Sequence, residues 1–187
     1  MVRARRGCSR RFHGVGGDQL DKTKGGVYNF RLGNSGNDAS VQLGPPGAIN
    51  TRAPIIGLAR NQAGTGYVLL GADGGIFAFG DMRYQGSTGG HHLNSPIVGI
   101  AATPTGNGYW LVAADGGIFS FGDAKFYGST GRLKLHSPIV GMEVSPGGHG
   151  YRLVAGDGGV FSFGNAPFLG SLGGRAIPAP IVGVAGR

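Results

Sequence analysis

The residues in this chain that could do chemistry are a few serines, aspartates and histidines, most of them at recurring places. Serine stands in the string G-S-T-G at residues 86–89 and 128–131. A nucleophilic serine needs the G-x-S-x-G spacing and a sharp strand-to-helix turn. Ser87 and Ser129 have neither, so both read as turn residues. Asp73, Asp115 and Asp157 each precede a glycine and occur once per segment. A calcium shell takes about six to eight oxygens, and no D-x-D-x-D-G loop supplies them, so these three read as structural turn residues. Asp81 and Asp123 share the phrase FGD, but the corresponding third residue is Asn165, which argues against a common acid function. His91 and His92 are adjacent, and neighbours on a strand point to opposite sides. Without a third ligand they read as loop residues rather than a zinc site. Cys8 is the only cysteine, so no intramolecular disulfide forms. No catalytic residue, metal or cofactor is therefore expected, and the chain does not read as an enzyme.

The elements that position these residues repeat. Pro54, Pro96, Pro138 and Pro180 are spaced by 42, and each opens a phrase of the kind PIVGIA. Asp73, Asp115 and Asp157 keep that spacing, as do Phe77, Phe119 and Phe161, and Phe79, Phe121 and Phe163. Three full units cover residues 54–95, 96–137 and 138–179. In the middle unit the pattern predicts a first strand over residues 97–102, led by a proline that suits a strand's first position. A breaker-rich turn and a second strand over 109–113 follow. An Asp-Gly pair then predicts a two-residue hairpin turn, a third strand over 118–121 and a short outer strand over 126–129. The period of two places Phe119 and Phe121 on one face, and these phenylalanines with their equivalents are expected to pack between neighbouring units. Four antiparallel strands in about 42 residues is the size of a β-propeller blade. The expected fold is all-β, a propeller-like array of four-stranded blades. Trp110, opposite Val68 and Arg152 in the other units, is either a partly exposed platform or a core filler.

Glycine supports this reading: 41 of 187 residues is too many for helices, where each interior glycine costs about 0.5–1 kcal/mol relative to alanine. The ends are less regular. Residues 25–53 contain a worn copy, GGVYNF matching GGIFAF, which reads as a degenerate half blade. Residues 180–187 read as the opening strand of another blade. Three full blades plus these parts make an open arc, or a piece of a larger ring, the favoured readings. Open blade edges would then favour self-association.

The phrase GYWLVAADGGIFSFGDAKFYGSTG, followed by a loop and SPIVG, resembles a glycine-rich repeat of large secreted or surface proteins in actinobacteria. The resemblance covers residues 54–187 clearly and 25–53 weakly. It implies propeller-like blades, an extracellular or cell-surface setting, and catalysis, where present, in accompanying hydrolase or amidase domains.

Charge adds a second theme. The net charge is +8, and residues 1–53 hold nine Lys/Arg against three Asp. Five arginines fall within the first eleven residues, and residues 1–24 read as a basic, disordered arm. No apolar stretch of signal-peptide length follows them, and no run approaches the length of a membrane span. Between units the loops differ: GGHHLNS, GRLKLHS and GGRAIPA. Variable loops on a rigid scaffold are where binding resides, so His91, His92, Arg132, Lys134, His136 and Arg175 form the expected weakly basic rim. The expected function is a non-catalytic binding or scaffold module, for a glycan, a wall polymer or a protein. The alternatives are the substrate-holding part of a secreted hydrolase and nucleic-acid binding through the basic arm.

Overall fold

The computed structural model describes residues 53–185. The basic arm, almost all of the degenerate half blade and the last two residues lie outside the described residues. Nine strands form three sheets. The first holds β1 (Ile55–Arg60), β2 (Gly66–Gly71) and β3 (Ile76–Gly80). The second holds β4 (Ile97–Ala102), β5 (Gly108–Ala113) and β6 (Ile118–Gly122), and the third β7 (Ile139–Val144), β8 (Gly150–Ala155) and β9 (Val160–Gly164). Each sheet is antiparallel, in sequence order, with no crossover.

The registers are equivalent. Tyr109 pairs with Ala102 on one side and Phe121 on the other, as Tyr67 pairs with Arg60 and Phe79, and Tyr151 with Val144 and Phe163. A register shift interrupts the first strand of every sheet one residue before its glycine, as between Ile97 and Gly99. Such bulges bend a strand and increase its twist.

The middle strand explains where the core sits. All six residues of β5 are buried, because their alternating side chains serve two different interfaces. Tyr109 and Leu111 join a cluster with Val68, Leu70 and Ile76 of the first sheet. Trp110 and Val112 join a second cluster with Tyr151 and Leu153 of the third sheet. The hydrophobic core therefore lies between sheets. A three-stranded sheet of five- and six-residue strands cannot hide its apolar faces alone, and stacking does it. Each buried leucine here contributes about 2–3 kcal/mol in removed apolar surface.

Two sequence expectations need correction. The hairpin between second and third strands has a three-residue loop, not a two-residue Asp-Gly turn. Gly71 N–H donates to the Gly75 carbonyl at 2.8 Å and Gly74 N–H to the Gly71 carbonyl at 2.9 Å. Only the third loop position needs the left-handed conformation, and Gly74, Gly116 and Gly158 take it, at φ of 78–79°. This matches the three-residue hairpin ending in a left-handed residue.

The outer strand does not form. Residues 81–96 and their equivalents carry no strand. They reach their own hairpin loop through one backbone bond: Thr88 N–H to Gly74 O, Thr130 N–H to Gly116 O, Leu172 N–H to Gly158 O. In the first two units a further pair, Gln85 N–H with Gly86 O and Tyr127 N–H with Gly128 O, bonds to the following unit. The sheets are accordingly three-stranded. Residues 180–185 are likewise not a strand. No second strand pairs with them among the described residues, although Ile181 N–H anchors them to the Gly156 carbonyl.

Candidate functional site

The first strands of the three sheets lie side by side, β1 against β4 and β4 against β7. With residues 182–184 they line a cavity of about 270 Å³. Its walls come from the repeated PIVG phrases, including Gly57, Gly99 and Gly141. These glycines permit close approach of the units. A Cβ on Gly141 would stand 2.8 Å from Val184 Cγ1, and one on Gly57 3.2 Å from Ile100 Cγ2.

Between neighbouring units a tyrosine makes the join. The Tyr109 hydroxyl accepts from Gln85 N–H at 3.0 Å and donates to the Gly86 carbonyl at 2.6 Å. The next unit repeats this: Tyr151 accepts from Tyr127 N–H at 3.1 Å and donates to the Gly128 carbonyl at 2.6 Å. These are the backbone groups that an outer strand would have offered to its own sheet. Burial pushes the Tyr109 and Tyr151 phenols up, which keeps them protonated and able to donate. Tyr67 is raised by burial as well.

The aspartates cap turns. Asp73, Asp115 and Asp157 each accept from the N–H two residues on, at 3.0, 2.8 and 2.9 Å. This is the Asx geometry that holds a loop from within. Asp123 accepts from the Thr105 hydroxyl and Asn165 from the Ser145 hydroxyl, so an acid and an amide take equivalent posts in holding neighbouring turns. Ser87 accepts from the Tyr84 hydroxyl at 3.2 Å. Ser171 accepts from Val160 N–H and Gly173 N–H and donates to Gly158 O. Among the described residues, no three His, Cys, Asp or Glu side chains are grouped to hold a metal ion, and no helix is long and apolar enough to cross a membrane.

The six phenylalanines are half-buried. Phe119 and Phe121 pack on the first interface cluster, Phe161 and Phe163 on the second. Phe79 stacks on Tyr67 with ring centroids 5.0 Å apart. Trp110 is a core filler, 1% exposed. Its indole N–H donates to the Lys125 carbonyl at 2.8 Å, and its ring meets Tyr151 edge-on at 5.9 Å.

All six rim residues, His91, His92, Arg132, Lys134, His136 and Arg175, are exposed. His136 alone among them lines a described cavity, one of about 280 Å³ shared with Ser95, Asp115, Leu133 and Leu135. The other five do not line it.

The sequence reading missed a second recurring set. Tyr84, Phe126 and Phe168 are also spaced by 42, and they are 59%, 61% and 61% exposed. Every other aromatic shared by all three units is wholly or partly buried. Assigning residues 126–129 to an outer strand had hidden them. The available signal was aromaticity at a place where Lys125, Pro167 and Arg83 flank the ring. Each connecting segment thus presents one exposed ring and one or more basic or histidine side chains.

No family model and no curated protein matches the chain. It is similar to the solved beta-propeller domain of Cps50 (Swd1) from Myceliophteria thermophila, at 14% identity and a TM-score of 0.45, over 63% of this chain and 38% of that one. The chain thus spans well under half the length of that relative.

Proposed function

We propose that this chain is a non-catalytic, propeller-like repeat module that binds a glycan or a mildly acidic wall polymer at the cell surface or outside the cell. The observation that carries the reading is the row Tyr84, Phe126 and Phe168, equally exposed in all three units. Burying large apolar rings is the default gain in folding, and here three equivalent rings forgo it. A row repeated at the unit spacing suits a polymer with repeating sugars, whose apolar ring faces lie on aromatic side chains. The basic residues of the same connecting segments (Arg83; Lys125, Arg132 and Lys134; Arg175) suit scattered acidic groups on that polymer. The surface setting follows from the repeat resemblance. The serines and aspartates serve turns, which supports a binding role rather than a catalytic one.

Affinity electrophoresis in gels containing soluble polygalacturonate tests the reading. The wild-type chain is expected to be retarded, and the triple variant Tyr84→Ser/Phe126→Ser/Phe168→Ser to run as in a polymer-free gel while keeping its unfolding midpoint. Equal retardation of both proteins, or none of the wild type, would contradict it.

A further inference from the structure

The middle unit carries a cavity of about 280 Å³ that the row of exposed rings does not use. Small-molecule sites span about 300–1,000 Å³, so this one is sized for a small ligand. Ser95 from the end of the first unit lines it, with Asp115 of the second unit's hairpin loop and Leu133, Leu135, His136 and Ser137 of the segment that follows. These residues lie inside the array, with a described unit on either side. The repeat does not demand the whole set. Asp115 recurs as Asp73 and Asp157, and Leu135 as Leu93 and Ile177. In the first unit Ala53, His91 and Asn94 stand at the places of Ser95, Leu133 and His136. In the third, Arg175, Pro178 and Ala179 stand at those of Leu133, His136 and Ser137. The middle unit alone surrounds the carboxylate with two hydroxyls, an imidazole and two leucines.

The polar groups of the cavity are uncommitted. Asp115 uses one carboxylate oxygen to accept from Gly117 N–H at 2.8 Å, which fixes the direction of the other. Among the described residues the side chains of Ser95, His136 and Ser137 make no hydrogen bond. His136 is therefore bonded neither to Asp115 nor to a serine, and the set lacks the linked nucleophile and base of a covalent catalyst. Charge narrows the ligand. An anion would meet the Asp115 carboxylate, and no Lys or Arg lines the cavity to offset it. A cation would meet Arg132 and Lys134, exposed on the same segment as His136. A carboxylate only accepts, whereas a hydroxyl or a neutral imidazole both donates and accepts. The neighbouring hydroxyls of an uncharged sugar ring match this set, and its C–H face suits the two leucines.

We propose that this cavity binds one neutral pyranose unit. A ring hydroxyl donates to the second oxygen of Asp115, further hydroxyls bond to Ser95, Ser137 and His136, and the C–H face rests on Leu133 and Leu135. The site is separate from Tyr84, Phe126 and Phe168 and does not depend on polymer binding there.

Amide NMR titrations of the full chain test it, with glucose and galactose beside their uronates and their 2-amino sugars. At least one neutral sugar is expected to shift the amides of residues 114–117 and 133–137 saturably, at millimolar concentration, with its uronate and amino sugar binding more weakly. Ser95→Ala and Ser137→Ala copy the alanines that the first and third units carry at these places, so thermal unfolding should be unchanged. Each is expected to weaken sugar binding about three- to tenfold, by loss of one hydrogen bond. The linear trisaccharide of the same sugar separates two sources of the ligand. Tighter binding than the free sugar supports a unit within a chain, and equal or weaker binding supports a free sugar. The proposal is overturned if no neutral sugar shifts these amides, if the uronate or the amino sugar binds more tightly, or if both alanine variants keep the wild-type affinity. Polygalacturonate binding at the exposed rings without any sugar binding here would overturn this inference alone.

Discussion

Tyr109 and Tyr151 join neighbouring units at the residue scale, because each ties its own sheet to the connecting segment of the unit before it through a single oxygen. Removing that oxygen in Tyr109→Phe leaves Gln85 N–H and the Gly86 carbonyl without a protein partner. The expected cost is about 1–3 kcal/mol, read as a lower urea midpoint at unchanged slope, with Trp110 as the sole tryptophan reporter. The same phenols set an alkaline limit. Burial raises their folded-state pKa above the unfolded value near 10. Their contribution is therefore complete below about pH 10 and disappears as pH rises through the raised values. Midpoints measured from pH 7 to 11 should hold steady and then fall, and Tyr109→Phe should shallow that fall. By contrast, Tyr84→Ser should change stability by less than about 0.5 kcal/mol, as exposed sites do. Trp110→Ala should cost about 3–5 kcal/mol, since it empties the core between the second and third sheets.

Elements explain what could and could not be read from the chain. First, second and third strands were legible because proline, glycine and period-two apolar patterns bound them within a residue. The Asp-bearing loop was located correctly but assigned the wrong length. An Asp-Gly pair is compatible with both turn types, and the choice depends on the Gly71–Gly75 backbone bond. The outer segment looked like a strand because Phe126 and Tyr127 favour extended backbone. Its hydrogen-bonding groups are claimed instead by a residue 24 positions away in the next unit, which no local pattern reveals. The exposed rings became visible only once that segment was placed, whereas the rim residues were legible as loop differences. At this scale Asp115→Ala should lower stability by about 1 kcal/mol through loss of the bond to Gly117 N–H. Thermal unfolding of the variant checks it.

The whole molecule divides its repeated residues into two groups. One group faces neighbouring sheets and builds two interfaces between three units. The other, Tyr84, Phe126 and Phe168, faces water at the same place in each unit. Architecture accounts for the first group, and the proposed polymer binding rests on the second. The most direct measurement is a backbone amide NMR titration of the full chain with polygalacturonate fragments. The account predicts shift changes at three equivalent stretches, around residues 83–88, 125–130 and 167–172, with smaller changes at the basic loops and none along β2, β5 and β8. Changes confined to one unit or to the cavity between the first strands, or no changes at all, would contradict it.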